Sequence, residues 1–466
     1  GLAAGVAATR VPVTLTHPTD AGAAPTPITP FPVKGGPHWA VLIAGSGGWG
    51  NYRHQADICH AYQLLTKAGI KPENIITMMA DDIANSPENP RKGQVINKPD
   101  GSDVYGGVKI DYSGKDVNAK NFLAVLGGDK SSVTGGNGRV LASDAKDHVF
   151  VYFADHGGPG ILGMPTPPYL YAKDLMTTLT DMHSKNMYGQ LTFYVEACES
   201  GSIFEGLLAK DMNIYVMTAA NAQESSWGYY CPGMNPPPPA EFSTCLGDLF
   251  SISFLEDSDA SDLSTETLHQ QYTKVANRTS QGGTYAQGSH VQQYGQVSLD
   301  SEHVGAFIGK MSSAGKAAEG AAQSKPGGAV AQRDADLLHL WAKFQRAEEG
   351  SAAKAEALAE LSRETGRRAA VGAAIKETAA AVLAASNSLE AVEDVLAARP
   401  AEGEAVVQDW QCYKDSVEAF EAQCGALGQS AFGHFRAFTN LCNRGAGASA
   451  VAAHAAAACA THGLSA

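Results

Sequence analysis

No apolar run in these 466 residues reaches the roughly 18 that a membrane-crossing helix needs, so no membrane partner is expected. Basic residues are scarce, 34 Lys and Arg against 48 Asp and Glu, for a net charge of −14. No Lys/Arg stripe is visible, which argues against nucleic acid. Cysteine is limited to eight residues, none with the C-x-x-C spacing of a common zinc site, and neither a metal nor a cofactor is expected. Asn is missing from 301 to 332, ahead of a change in composition.

What is present divides the chain. Residues 1–36 are rich in Pro, Gly, Ala and Thr without periodicity and predict an N-terminal pro-segment or extension. A globular part is expected over 37–311. Residues 312–333 are rich in Ala, Gly, Ser and Lys with no apolar period and predict a flexible linker and activation region. From 334 to 466 the pattern is helical and Ala-rich, with Leu337, Leu338, Trp341 and Phe344 on one face. This last part holds 17 acids and 11 bases, net −6, leaving −8 for the rest. With both parts acidic, docking between them must rest on local patches and apolar contact.

The cysteines cluster. Cys412, Cys424, Cys442 and Cys459 fall near the C-terminus, Cys231 and Cys245 bracket a loop holding Pro236 to Pro239, and Cys59 and Cys198 stand apart. Three disulfides and two free thiols is the economical partition, and it predicts a secretory route. A Cys231–Cys245 bridge would close about 15 residues and contribute roughly 3 kcal/mol through loop entropy. Asn277-Arg278-Thr279 is a glycosylation sequon that fits the same route.

Within 37–311, short strands over 39–43, 75–79, 147–153, 191–195 and 213–218 alternate with helical patterns near 55–68, 122–127 and 172–187. That order predicts an α/β fold with a mostly parallel sheet flanked by helices. A further strand is expected over 250–255. After the first strand, Gly45-Ser46-Gly47-Gly48-Trp49-Gly50 fits G-x-G-x-x-G, so a nucleotide-binding module is a competing reading. Bulky polar residues Asn51-Tyr52-Arg53-His54-Gln55 follow at once, and no acid stands about 20 residues on, both against that reading. The other reading is a loop that presents Asn51, Arg53 and His54 at the sheet edge.

Two strand ends carry chemistry. The stretch LTFYVEACESGS, 191–202, leads five β-formers into Glu196, Ala197 and Cys198. The strand over 147–153 leads into Asp155, His156 and Gly157. A lone thiol is usually core and a lone imidazole structural. A Cys and a His at the tips of apolar strands, one crossover apart, form a candidate nucleophile–base pair. The N–H groups of Gly157 and Cys198 would supply an oxyanion hole. Asn51 is a candidate to orient His156. Arg53, Glu196 and Asp248 gather near strand ends, one cation with two acids, which suits a carboxamide: Arg53 donates to its oxygen, and the acids accept from its NH2. An ionised Asp would meet like charge there, so cleavage after Asp is expected at acid pH. The alternative is that these charges pair with one another on the surface.

NYRHQADICHAY, FADHGGPG, YVEACESGS, TAANAQESS, the CPG…PPPP…TCLGD loop and FLEDSD together resemble the legumains, asparaginyl endopeptidases of plant and algal type. The resemblance covers about 37–310 and resumes from AQRDADLLHLWAKF to the C-terminus. It implies a caspase-like α/β domain, a self-activating zymogen and a helical prodomain that inhibits the same molecule by covering its active site. It implies protein and peptide substrates cut after Asn through a Cys198–His156 dyad with Asn51 as third member. Arg53, His54, Glu196, Ser225, Ser226 and Asp248 become the specificity pocket, and Cys412–Cys442 and Cys424–Cys459 the late disulfides. An acidic vacuole- or lysosome-like compartment, or secretion, is implied. A peptide ligase using the same acyl-enzyme stays open, as does a homodimer through the prodomain. Two departures stand out. Gly47 replaces an Asn found in many relatives, which implies a looser loop around Asn51. The Asn-free linker leaves Asp334 and Asp336 as the expected self-cleavage sites.

Overall fold

The computed structural model describes residues 36–310 and 328–466. The N-terminal stretch read as a pro-segment and most of the expected linker fall outside these residues.

Strand β1, His38–Ala44, is buried over its last five residues. Helix α1, Tyr52–Lys67, begins three residues earlier than its apolar period suggested, because Tyr52, Arg53 and His54 are buried within its first turn. Strand β2 is Ile75–Met78 and helix α2 is Ala119–Leu126. The Asn118 side chain caps α2 by accepting from the Asn121 N–H. Strand β3, His148–Ala154, is buried throughout. A small antiparallel sheet follows, from β4 (Gly157–Gly158), β5 (Ile161–Leu162) and β6 (Leu170–Tyr171). Then come helix α3, Ala172–Ser184, strand β7, Gln190–Glu196, and strand β8, Ile214–Thr218. Strands β9 (Trp227–Tyr229) and β10 (Gly247–Asp248) lead to helices α4 (Leu249–Ala260) and α5 (Leu268–Thr279). Strand β11, Gln292–Gly295, and helix α6, Gly305–Ile308, complete this part.

The main sheet has the order β11-β8-β7-β3-β1-β2, and its pairs are parallel except β11 with β8. A fully buried parallel sheet needs apolar cover on both faces, which these near-continuous apolar strands reflect. One face packs on α1, α4 and α5 through residues such as Leu42, Tyr52, Tyr152 and Phe254. The other packs on α2 and α3 through Ile43, Phe122, Phe153 and Leu175. Register aligns the strand ends: Ala44 pairs with Ala154, and Ala154 with Glu196. Three strands therefore end level, and the segments after them leave the sheet side by side.

The strand expected over 250–255 is a helix. Phe250, Ile252 and Phe254 alternate with Ser251 and Ser253, which mimics a strand period. In α4 every residue from Leu249 through Leu255 is buried, so no exposed face breaks the pattern into a helical stripe.

The chain resumes at Gly328. Strand β12, Val330–Ala331, pairs antiparallel with β9, so the last residues of the expected linker are an ordered edge strand. Helices α7 (Ala335–Arg346), α8 (Ala352–Ala385), α9 (Val392–Ala397), α10 (Trp410–Cys424), α11 (Arg436–Asn443) and α12 (Ala448–Thr461) follow. Cys412 joins Cys442 and Cys424 joins Cys459, tying α10 to α11 and α12. Cys231 joins Cys245, while Cys59 and Cys198 are buried free thiols.

These helices lie over the carboxyl edge of the sheet. Ile161, Tyr169, Tyr171 and Ala222 enter one apolar cluster with Phe432, Phe435 and Tyr413. Tyr413 donates to the Pro159 carbonyl at 2.9 Å, and Lys414 pairs with Asp174 at 2.7 Å. Local pairs and apolar contact hold two acidic parts together, as the charge count required.

Candidate active site

The level strand ends assemble the site. The Gly45 N–H donates to Ala154 O at 3.1 Å and the Asp155 N–H to Glu196 O at 2.9 Å, extending the sheet one residue past each tip. The pairing sets the loop after β1, the Asp155–His156 step and the Ala197–Cys198 step next to one another. Gly157 lies against the nucleophile segment so closely that a Cβ there would sit 2.3 Å from Cys198 O. Cys198 and His156 are both buried.

One amide sets the state of the imidazole. Asn51 Nδ2 donates to Gly47 O at 3.0 Å, which leaves Oδ1 facing His156 Nε2 at 2.8 Å. An amide oxygen only accepts, so the His156 proton sits on Nε2 and the lone pair is on Nδ1. Nδ1 is buried and has no hydrogen-bond partner. Burial, then Arg53, Arg333 and Arg368, hold the imidazole well below its ordinary value, so it is a neutral base. The loop that carries Asn51 is tied down on the residue after Gly47. The Gly48 N–H donates to Asp82 Oδ2 at 2.7 Å, and Gln55 Nε2 donates to Asp82 Oδ1 at 2.7 Å. A Cβ at Gly47 would stand 2.8 Å from that same carboxylate.

A pocket of mixed charge opens beside the thiol. Arg53, His54, Glu196 and Asp248 are fully buried, so they are not a surface pairing. Arg53 Nε meets Asp248 Oδ1 at 2.8 Å. Glu196 Oε2 accepts from Ser251 N and Oγ, each at 3.0 Å, while its Oε1 has no partner. Burial, then the charge of Asp248, raises the Glu196 carboxyl well above its usual range. His54 Nδ1 contacts Ser46 Oγ at 2.5 Å, and its Nε2 lies 3.5 Å from Asp248 Oδ2. Ser226 Oγ stands 3.9 Å from Cys198 Sγ, and Ser225 is half-buried one residue before it.

Gln332, a residue that the sequence reading missed, fills this pocket. Its N–H donates to Ser226 O at 2.9 Å and its carbonyl accepts from Arg53 Nη2 at 3.3 Å. Its Nε2 donates to Asp248 Oδ1 at 3.3 Å, and its Oε1 lies 3.8 Å from Cys198 Sγ. The signal was present: the carboxamide argument that favoured Asn applies to Gln, one methylene longer. Glu199, directly after the thiol, adopts the left-handed conformation at φ 51°. Its carboxylate takes Arg333 Nη2 at 2.7 Å and also Arg436 Nη2, two further residues the sequence reading passed over. Gln429 Nε2 donates to Asp155 Oδ2 at 3.0 Å and to Gly45 O at 2.8 Å. Asp334 and Asp336 are outside the pocket. Asp334 is the N-cap of α7, and Asp336 pairs with Arg368 at 2.5 Å.

His54, Asp155 and His156 bring potential metal-ligand atoms within 4.8 Å of one another. Ser46, Gln429 and Asn51 already bond one group each of this trio. Between the two parts of the molecule remains a cavity of ≈ 610 Å³, lined by Asn51, His156, Asp336, His339 and Gln429 among others.

Comparison with known proteins bears directly on this arrangement. The model of the Peptidase C13 family matches residues 38–310, and that of the legumain prodomain matches 359–459. The chain is 51% identical over 413 residues to the vacuolar-processing enzyme beta-isozyme of Arabidopsis thaliana, covering 88% of this chain and 83% of that protein. It is 50% identical over 432 residues to the vacuolar-processing enzyme of Vicia sativa, covering 91% and 86%. Caspase-1 from Spodoptera frugiperda is a distant structural match at TM-score 0.35 and 12% identity, covering 59% of this chain and 93% of that one. With a peptidase model over more than half its length, a prodomain model behind it and plant relatives near 50% identity, the chain belongs to the Peptidase C13 family and is a cysteine endopeptidase of the legumain type.

Proposed function

We propose that the chain is the zymogen of an endopeptidase that cuts after Asn, and after Asp at acid pH, with its own C-terminal helices as the inhibitor. The observation that carries this reading is the seating of Gln332. Its segment lies antiparallel on β9 as an extended substrate would, with its carboxamide between Asp248 and the thiol. Asn offers the same amide one methylene shorter, which brings its backbone carbonyl toward Cys198.

In that reading Nδ1 of His156 takes the Cys198 proton and the thiolate attacks the carbonyl carbon. Charge on the carbonyl oxygen is met by the N–H groups of Gly157 and Cys198. His156, now carrying a second proton, gives it to the departing amine as the C–N bond breaks. Water, deprotonated by the same nitrogen, then releases the acid from the thioester. Asn51 keeps the imidazole in the productive tautomer throughout. Asp248 with the open Oε1 of Glu196 serves the substrate's NH2, lined by His54, Ser225 and Ser226, and Arg53, which takes the backbone carbonyl of Gln332 here, is assigned to the substrate's amide oxygen. A substrate Asp enters as the neutral acid, since its anion would meet two carboxyls. Asp334 and Asp336 lie just past Gln332, so a short slide of the chain presents Asp334 to the pocket in acid.

The relatives' names, vacuolar-processing enzymes, point to an acidic vacuole as the place of action. The exposed Asn277 on α5 is a glycosylation site on the way there. The deciding experiment incubates the activated chain with peptides carrying Asn, Asp, Gln or Lys at the cut, across pH, with and without iodoacetamide. Cleavage after Asn, after Asp only in acid, and loss of both with the alkylator are expected. Equal cleavage after Lys would overturn the pocket assignment.

A further inference from the structure

Helix α1 carries Arg53 and, four residues on, Asp57, two positions on one helix face. Both are fully buried, and both end on the segment 246–248. Arg53 meets Asp248 from the pocket side. Asp57 holds the segment from behind: its Oδ2 accepts the Asp248 N–H at 3.1 Å, and its Oδ1 accepts from Asn97 Nδ2 at 2.7 Å. Asn97 donates from the same nitrogen to Leu246 O at 2.9 Å. The Asn97 oxygen meets His60 Nδ1 at 2.7 Å, and His60 Nε2 meets Asp259 Oδ2 at 2.9 Å on the surface side. Between these anchors Gly247 has no room for a side chain, since a Cβ there would lie 2.7 Å from Ile252 and 2.9 Å from Asn97 Nδ2. Asp248 is the N-cap residue of α4 yet makes no capping bond. Its carboxylate is turned away from its own helix, and its place depends on the backbone that Asp57 and Asn97 clamp.

We infer that Asp57 is a positioning residue of the specificity pocket, which sets where the Asp248 carboxylate stands without touching substrate itself. The inference rests on the reading of Arg53, Glu196 and Asp248 as a carboxamide pocket. The charge balance supports it. Burial, then the charge of Asp248, pushes the Asp57 carboxyl well above its usual range, which disfavours a second charge behind the pocket.

Asp57→Asn is nearly isosteric but replaces one accepting oxygen by a donor, so one of the two clamping bonds is lost. In the full chain after activation, KM for a peptide with Asn at the cut should rise about tenfold, with kcat within about threefold of the parent. The rate of Cys198 alkylation by iodoacetamide, and its pH profile, should match the parent. A KM within about twofold of the parent in a folded variant overturns the inference. So does a fall in kcat and alkylation with KM unchanged, which would place Asp57 in support of the dyad. If Asp57→Asn yields no folded protein, Asn97→Ala, which frees Asp57 Oδ1 and Leu246 O, is judged by the same outcomes. A parent that does not prefer Asn peptides overturns the pocket reading itself, whatever the variants do.

Discussion

At the scale of single residues, the chain Gly47–Asn51–His156 sets the tautomer of the imidazole by hydrogen-bond direction, while burial and neighbouring arginines keep it neutral. The Gly47 carbonyl orients an amide, the amide selects a tautomer, and the tautomer leaves Nδ1 as base. Cys198 completes the pair, and Cys198→Ala should give a folded chain that never processes itself. Self-cleavage persisting in that variant, seen by mass spectrometry, would remove the thiol from the reaction. Gln332 fills the mixed-charge pocket, held by Ser226, Arg53 and Asp248. Gln332→Asn puts a better-fitting amide in the same seat, so self-cleavage after position 332 should appear at least about tenfold faster than any cut in the parent, since roughly one methylene of misplacement is worth 10–200-fold. An unchanged rate and unchanged termini would show that Gln332 is not aligned as a substrate. The placement of His156, Cys198 and Asn51 at the sheet edge could be read from the sequence because each follows an apolar strand by a few residues. The roles of Arg333 and Glu199 could not, because they pair with each other across more than a hundred residues, and Gln332 showed its carboxamide but not its seat in the pocket.

Secondary-structure elements show where local pattern is sufficient. Strands β3 and β7 are apolar at every position and short, and their tips are marked by the polar residues that follow. Helix α4 defeats the pattern because burial on all sides erases its stripe. The turn at Gln429–Phe435 was unforeseen as a contact, yet its Phe432 packs directly on Gly158 of β4. A Cβ on Gly158 would lie 2.8 Å from both Cβ and O of Phe432, whose ring stacks edge-on against Tyr169 at 4.8 Å. A backbone carbonyl yields little, so Gly158→Ala should weaken docking of this turn by about 1–3 kcal/mol, the usual cost of overpacking. The uncut zymogen should then turn over a small Asn peptide at least fivefold faster than the parent. Equal basal turnover in the two would count against the contact as a determinant of covering.

At the scale of the whole molecule, charges of opposite sign face one another across the cleft, and acid acts on them in one direction. In the covered state His156 is kept neutral by burial and by Arg53, Arg333 and Arg368, the last two from the C-terminal part. Uncovering removes Arg333 and Arg368 and part of the burial while Arg53 stays, so the open form binds a proton at higher pH than the covered one. Docking strength is therefore lost as pH falls through the range in which the uncovered imidazole takes up its proton. Glu88 acts in the same sense. Its hydrogen bond with His339 on α7 lowers it below 4.5, so it strengthens docking above that value and ceases to as pH falls through the depressed one. In full-length Cys198→Ala, hydrogen exchange at Gln429–Phe435, corrected for intrinsic rates, should lose protection between about pH 7 and about pH 4. Protection retained at about pH 4 would mean that acid does not open the molecule.

Strand tips, the placing of Cys198 and His156 just past them, and the helical C-terminal part were all determined by local sequence. Periodicity, turn residues and side-chain chemistry act over a few neighbours and leave a linear trace. Only the tertiary structure decided that Ala44, Ala154 and Glu196 end level, that Gln332 enters the pocket, and that Arg333 and Arg436 converge on Glu199. Those outcomes depend on strand register and on the packing of one acidic surface against another, and both are summed over the whole chain, where no short window records them.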